Sequence, residues 1–278
     1  HTSTVNNANF SPDGKTIVTA SNDNTANIWS SSGQELATLN GHTEGVRDAN
    51  FSPDGKIIVT ASWDKTAKVW SSSGEELATL NGHTSTVNNA NFSPDGKTIV
   101  TASSDKTAKV WSSSGELIAT LNGHRGGVYD ANFSPDGKSI ITASDDKTAK
   151  VWSSSSQEKV TLEGHTSAVN NANFSPDGKT IVTASWDKTA KIWSGSGQLI
   201  ATLKGHTSTV NNANFSPDGK TIVTASWDKT AKVWSSSNQE LATLNGHTHW
   251  VNNANFSPDG KTIVTASWDK TAKVWSSS

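Results

Sequence analysis

The 278-residue sequence contains no cysteine and no methionine. Without cysteine there is no disulfide framework and no thiol chemistry. Tyrosine occurs once, as Tyr129, and arginine twice, as Arg47 and Arg125. The net charge is −2, so no basic excess is available to neutralise phosphates, and nucleic acid is not an expected partner. No apolar run approaches the roughly 20 residues of a membrane span, and no signal peptide is visible. A cytoplasmic chain without membrane association is the expectation. Position 1 is histidine, so the sequence reads as a segment of something longer or a processed product.

What is present is repetition. Histidines recur at His1, His42, His83, His124, His165, His206 and His247, always 41 residues apart. Trp29, Trp70, Trp111, Trp152, Trp193, Trp234 and Trp275 keep the same period. The heptapeptide ANFSPDG is identical in every copy, from 8–14 to 254–260, and holds all seven prolines and all seven phenylalanines. Self-similarity at this period marks a repeat architecture. The repeats run 1–41, 42–82, 83–123, 124–164, 165–205, 206–246 and 247–278.

One unit translates directly into structure. VNNANF is a short strand ended by the turn SPDG, in which proline presets the first turn angle and Asp-Gly supplies the reversal. TIVTAS alternates β-branched and small residues, as a packed strand does. A second tight turn at Asp-Lys-Thr leads into TAKVWS, and QELATL forms a fourth strand. Nothing reads as a helix. Such a small sheet cannot bury both faces alone, but seven of them packed face to face can. The asparagines of the first strand are poor strand formers and suit a strand bordering a water-filled central channel.

The pattern GH…FSPDGK…TASxDKTAKVW resembles the WD-repeat β-propeller family over the whole chain. The family's name dipeptide appears here as Trp-Ser, for example Trp29-Ser30. The near-identity of the copies is similar to recently amplified bacterial arrays attached to nucleotide-dependent signalling ATPase domains. The resemblance implies one all-β domain over residues 1–278, a seven-bladed propeller of four-stranded antiparallel blades. Seven repeats of 41 residues would span 287, nine more than the chain has. The last blade is therefore predicted to have three strands and an open edge along 271–276.

Each repeat holds a histidine, a serine and an aspartate, which invites a search for catalytic triads. The resemblance implies instead a buried polar network of histidine, serine, aspartate and third-strand tryptophan: His42, Ser62, Asp64 and Trp70 in blade two, and His83, Ser103, Asp105 and Trp111 in blade three. Seven identical copies beside a large indole argue for packing. Gly-Lys-Thr at 14–16 mimics the end of a phosphate-binding loop, but Asn9 stands where the upstream glycine belongs and a strand follows. Asn9-Phe10-Ser11 matches a glycosylation acceptor, with proline directly behind. His247 and His249 have no third ligand in view, so neither metal nor cofactor is expected.

The copies differ mainly in three places: just after the histidine, just before the turn aspartate, and at the start of the outer strand. HTSTVNN becomes HTEGVRD at 42–48, HRGGVYD at 124–130 and HTHWVNN at 247–253. Strand direction alternates within a blade, so the first two places lie at one end of it. That end is the usual docking face of the resembled family. The candidate partner-binding residues are Glu44, Arg47, Trp63, Arg125, Tyr129, Asp145, Trp186, Trp227, His249, Trp250 and Trp268. Arg, Tyr and Trp are enriched at binding hot spots, whereas drift in unconstrained loops would favour polar residues. The expected function is a non-catalytic protein- or peptide-binding scaffold, monomeric with edge-to-edge association available, and part of a larger bacterial signalling protein. The rival is a structural or engineered repeat propeller with no evolved partner; a hydrolase built on one histidine–serine–aspartate set is a distant third.

Overall fold

The computed structural model describes residues 1–153, 155–269 and 271–277. Every regular element among them is a strand. The strands form seven antiparallel sheets, six of four strands and a last one of three. Each sheet is one repeat, here called a blade, and its strands lie side by side in chain order.

Blade two is representative. Its strands are Val46–Phe51, Ile57–Ser62, Thr66–Ser71 and Glu76–Asn81. At the first turn the Ser52 N–H donates to the Ile57 carbonyl and Gly55 N–H to that of Ser52. Gly55 has a φ of 70°, a left-handed conformation that glycine adopts without steric cost. The Asp-Lys-Thr turn places Lys65 in the same region at 72°. That strain is held by Asp64, whose Oδ1 accepts from both the N–H and the hydroxyl of Thr66.

The chain forms two compact units, His1–Phe133 with Ser154–Gln157, and Ser134–Ser153 with Glu158–Ser278. Within each unit the core is laid down between successive blades. In the first unit Val59, Ala61, Val69 and Leu80 of blade two pack against Val87, Ala90, Ile99 and Trp111 of blade three. In the second, Val223, Ala225, Val233 and Leu244 of blade six meet Val251, Ala254 and Ile263 of blade seven, with Trp275 partly buried against them. The third-strand tryptophan thus faces the preceding blade, and the third-strand valine faces the following one.

The first-strand asparagines are half-buried or, at Asn212, buried, and are bonded from blade to blade. Asn9 Nδ2 donates to Asn50 Oδ1 at 2.7 Å, and Asn91 to Asn132 at 2.8 Å. In the second unit Asn173 donates to Asn214, and Asn214 to Asn255, at 2.8 and 2.6 Å. Poor strand formers are kept here because their amides satisfy one another and the neighbouring backbone.

The last blade has the predicted three strands, Val251–Phe256, Thr262–Ser267 and Ala272–Ser276. Val274 is 73 % exposed, whereas its counterparts Val69 and Val233 are buried.

Candidate functional site

The blades carry a polar relay, seen in blades one to three and five to seven, and, at one end, a variable surface. In blade two His42 Nδ1 lies 2.7 Å from Asp64 Oδ2, and Nε2 lies 2.8 Å from the Thr60 hydroxyl. The Trp70 indole N–H donates to that same hydroxyl at 2.8 Å. One proton arrangement satisfies all four groups: the indole donates to threonine, threonine to Nε2, and Nδ1–H to aspartate. Blade three repeats it with His83, Asp105, Thr101 and Trp111. Ser62 stands beside the relay: it accepts from the Asp64 N–H and donates to the carbonyls of Glu44 and Gly45. The serine therefore ties the entry loop to the turn, and threonine links histidine to tryptophan. The signal for that threonine was present in the sequence, since it occupies the same place in every repeat.

Burial alone would raise the Asp64 carboxyl, but hydrogen bonds from His42 and Thr66 outweigh it and hold it below the usual carboxylate range. His83 and His165 are held below the ordinary imidazole value by burial, opposed in part by Asp105 and Asp187. Aspartate, histidine and a hydroxyl in line have the outline of a nucleophilic triad. Here, however, the Thr60 residue is wholly buried and its oxygen is taken by an indole N–H. No group of three or more His, Asp or Glu among the described residues is placed to hold a metal ion.

The entry loop and the second turn meet through the backbone, as strand alternation requires. Trp63 N–H donates to the Gly45 carbonyl, Trp227 N–H to that of Thr209, and Trp268 N–H to that of Trp250. Gly45 leaves little room: a Cβ there would sit 3.1 Å from the Trp63 ring.

In the first unit this surface is cationic and aromatic. Arg47 lies over Trp63, with the guanidinium carbon 5.9 Å from the ring centroid, a separation at which the cation is attracted to the π face. The Arg47 Nε is buried with no hydrogen-bond partner. Glu44 and Arg125 are exposed, and Tyr129 is half-buried.

In the second unit the surface is an aromatic strip crossing three blades. Trp186 of blade five lies 6.2 Å from Trp227 of blade six. Trp227 stacks on Trp250 of blade seven at 4.5 Å and 13°. Trp250 contacts Trp268 at 4.8 Å, and His249 stacks on Trp268 at 5.9 Å. Trp186 and Trp268 are 42 % and 51 % exposed. The Trp227 indole N–H is buried without a partner, a group that normally finds one. Asp145 is exposed in this unit. The ring-to-ring order could not be read from sequence spacing, because Trp250 comes from a loop and its neighbours from turns.

No curated protein matches the chain. The repeats themselves do match a family model: residues 1–30, 33–71, 74–112, 115–153, 156–194, 197–235 and 238–276 each fit the WD domain, G-beta repeat. Seven sheets of three or four antiparallel strands, seven matched segments and a histidine–aspartate–tryptophan relay agree: the chain belongs to the WD domain, G-beta repeat family, with the all-β fold class of a seven-bladed propeller whose last blade is three-stranded.

Proposed function

We propose that the chain is a non-catalytic recognition platform whose partner, a protein or peptide, docks on the variable loop-and-turn ends of the blades. The reading is supported chiefly by the strip from Trp186 to Trp268: large rings in mutual contact, two of them half-exposed, beside an indole N–H that lacks an acceptor. Exposed contiguous aromatic surface marks interaction sites, and indoles dominate binding hot spots. In blade two the Arg47–Trp63 pair offers a second anchor of the same kind. The resemblance to amplified bacterial arrays extends the reading to a cytoplasmic sensor portion of a larger signalling protein. No helix among the described residues is long and apolar enough to cross a membrane.

The test is capture from the source cell with the parent chain and with a Trp186→Ala, Trp268→Ala double variant of unchanged melting temperature. A partner held by the parent and weakened by about 1–4 kcal/mol per indole in the variant supports the platform. A partner whose hydrogen-exchange footprint lies on the Ser-Pro-Asp-Gly turns, or whose binding is indifferent to both indoles, overturns it, and capture of no partner favours a scaffold with no evolved partner.

A further inference from the structure

Arg47 breaks the repeat at a position where other copies make an interblade bond. In blade one Asn6 holds that position, and its Nδ2 donates to the Val46 carbonyl of the next blade at 2.8 Å and to Asn22 Oδ1 at 2.6 Å. In blade three Asn88 donates to the Val128 carbonyl at 2.8 Å and to the Ser104 hydroxyl at 3.0 Å. One amide thus ties its blade to the next and to the residue before its own turn aspartate.

Blade two changes both members of this pair, to Arg47 and Trp63. The bond to the next blade is gone. Among the described residues the Arg47 guanidinium makes no hydrogen bond and no ion pair, and its Nε is buried. The Trp63 ring lies against it, 5.9 Å from the guanidinium carbon. The adjacent Asp48 carboxylate is taken up by the Ala90 N–H and by the Asn50 and Asn89 amides. Tyr129, at the corresponding position of blade four, brings its phenol close enough to act on the Arg47 charge. A half-buried cation without an anion and a buried N–H without an acceptor are both costly, and no bond within the chain offsets them. A local rule broken in this way marks a place shaped for function.

We propose that Arg47, set on Trp63 and flanked by Tyr129, is a carboxylate-binding subsite that takes the side chain of an aspartate or glutamate in the partner polypeptide. That the occupant is a polypeptide rests on the proposed recognition role; the chemistry of the subsite rests on Arg47. The carboxylate enters side-on. One oxygen accepts from the buried Nε–H and the other from an Nη–H, the parallel pair that the guanidinium fork matches. One guanidinium balances one negative charge. A phosphate dianion would bring a second charge beside Asp48, with no other cation among the groups that act on Arg47, and so fits less well.

Arg47 and Arg125 are the only arginines. The full chain isotopically labelled at arginine therefore gives two Nε–H signals, told apart with Arg125→Lys. The probe is N-acetylglutamate N-methylamide, with its glutamine counterpart as control, at constant ionic strength. A saturable shift of the Arg47 signal is expected with the acid and none with the amide, while Arg125 stays in place. No saturable Arg47 shift, equal shifts of both arginines, or tighter binding of inorganic phosphate overturns the proposal. Followed through the Trp63 indole N–H, Arg47→Lys should bind about fivefold more weakly, because an ammonium offers no fork. Arg47→Asn, which restores the residue of blades one and three, should keep the melting temperature and lose binding. Parental affinity in either variant also overturns it. The Arg47 signal is read without the Trp186–Trp268 strip, and capture on the strip is read without Arg47, so the subsite and the platform fail separately.

Discussion

Blades six and seven contain third strands of the same sequence, Thr230–Ser235 and Ala272–Ser276, five residues of which, AKVWS, are shared letter for letter. Val233 is 3 % exposed and Val274 is 73 % exposed. Trp234 is buried, and Trp275 is half-buried against blade six. The backbone is the same and so is the pairing with the second strand: Val233 faces Val223 and Val274 faces Val264. What differs is what lies beyond. Blade six has an outer strand along one edge and blade seven against its valine face. The hydrophobic pattern thus specifies a strand, while burial comes from neighbours that the strand's own sequence does not contain.

The largest expected effect tests the face that both strands keep. Trp234→Ala should cost about 3–5 kcal/mol, the usual range for deleting a buried indole. Trp275→Ala should cost clearly less, because its ring is only half-buried. Equal losses in denaturant melts would show that the two blades are packed alike, and the comparison would fail.

A second substitution asks whether the polar relay is a property of one blade or of its surroundings. Asp105→Ala leaves the His83 Nδ1–H without its acceptor in a buried place. A loss of about 1–3 kcal/mol is expected. The Asp105 carboxyl sits below its ordinary range, because bonds from Thr107 and His83 outweigh the opposing effect of burial. A depressed carboxyl contributes stability above its unfolded pKa that disappears as pH falls through the folded value. The difference between parent and variant should therefore shrink on acidification below about pH 4. A variant that melts like the parent at pH 7 would remove the structural reading of the relay.

The relay also shows where the sequence was legible. Strand order, turn positions and the three-stranded last blade follow from a 41-residue period, because each copy confirms the others. The pairing of His42 with Asp64 came through resemblance. The bridging Thr60 did not, because a threonine in a β-branched run looks like a strand former before it looks like a hydrogen-bond relay. Lys65 at φ 72° was equally hidden, since lysine has no preference for that region and is held there by the Asp64 carboxylate. The aromatic strip was visible as a set of residue types but not as a stack, for Trp250 and Trp227 are neighbours only after the blades pack.

A third test compares one slot filled two ways. Asp48 and Asn212 occupy corresponding places in the first strand, and each accepts from a first-strand backbone N–H of the next blade, Ala90 or Ala254. Asp48 also accepts from Asn50 and Asn89. Burial pushes its carboxyl up to about 6, against those bonds and the nearby Arg47 charge. A raised carboxyl contributes stability that is complete below the unfolded value near 4 and is lost as pH rises through about 6. Asp48→Asn should thus gain on the parent between about pH 4 and 7, by on the order of 1–2 kcal/mol. Parallel stability profiles would mean that the slot does not distinguish acid from amide.

The smallest expected effect is the most direct measure of the comparison itself. Val233→Ala removes two methyls from a packed interblade cluster, and about 1–2 kcal/mol should be lost. Val274→Ala removes the same atoms from a side chain already in contact with water, so the change should stay within about 0.5 kcal/mol. Denaturant midpoints of the two variants, read at matched slope, give the contrast directly. If Val274→Ala already costs as much as Val233→Ala in the free chain, that face is covered in solution and the exposure of the last strand is not a property of the protein.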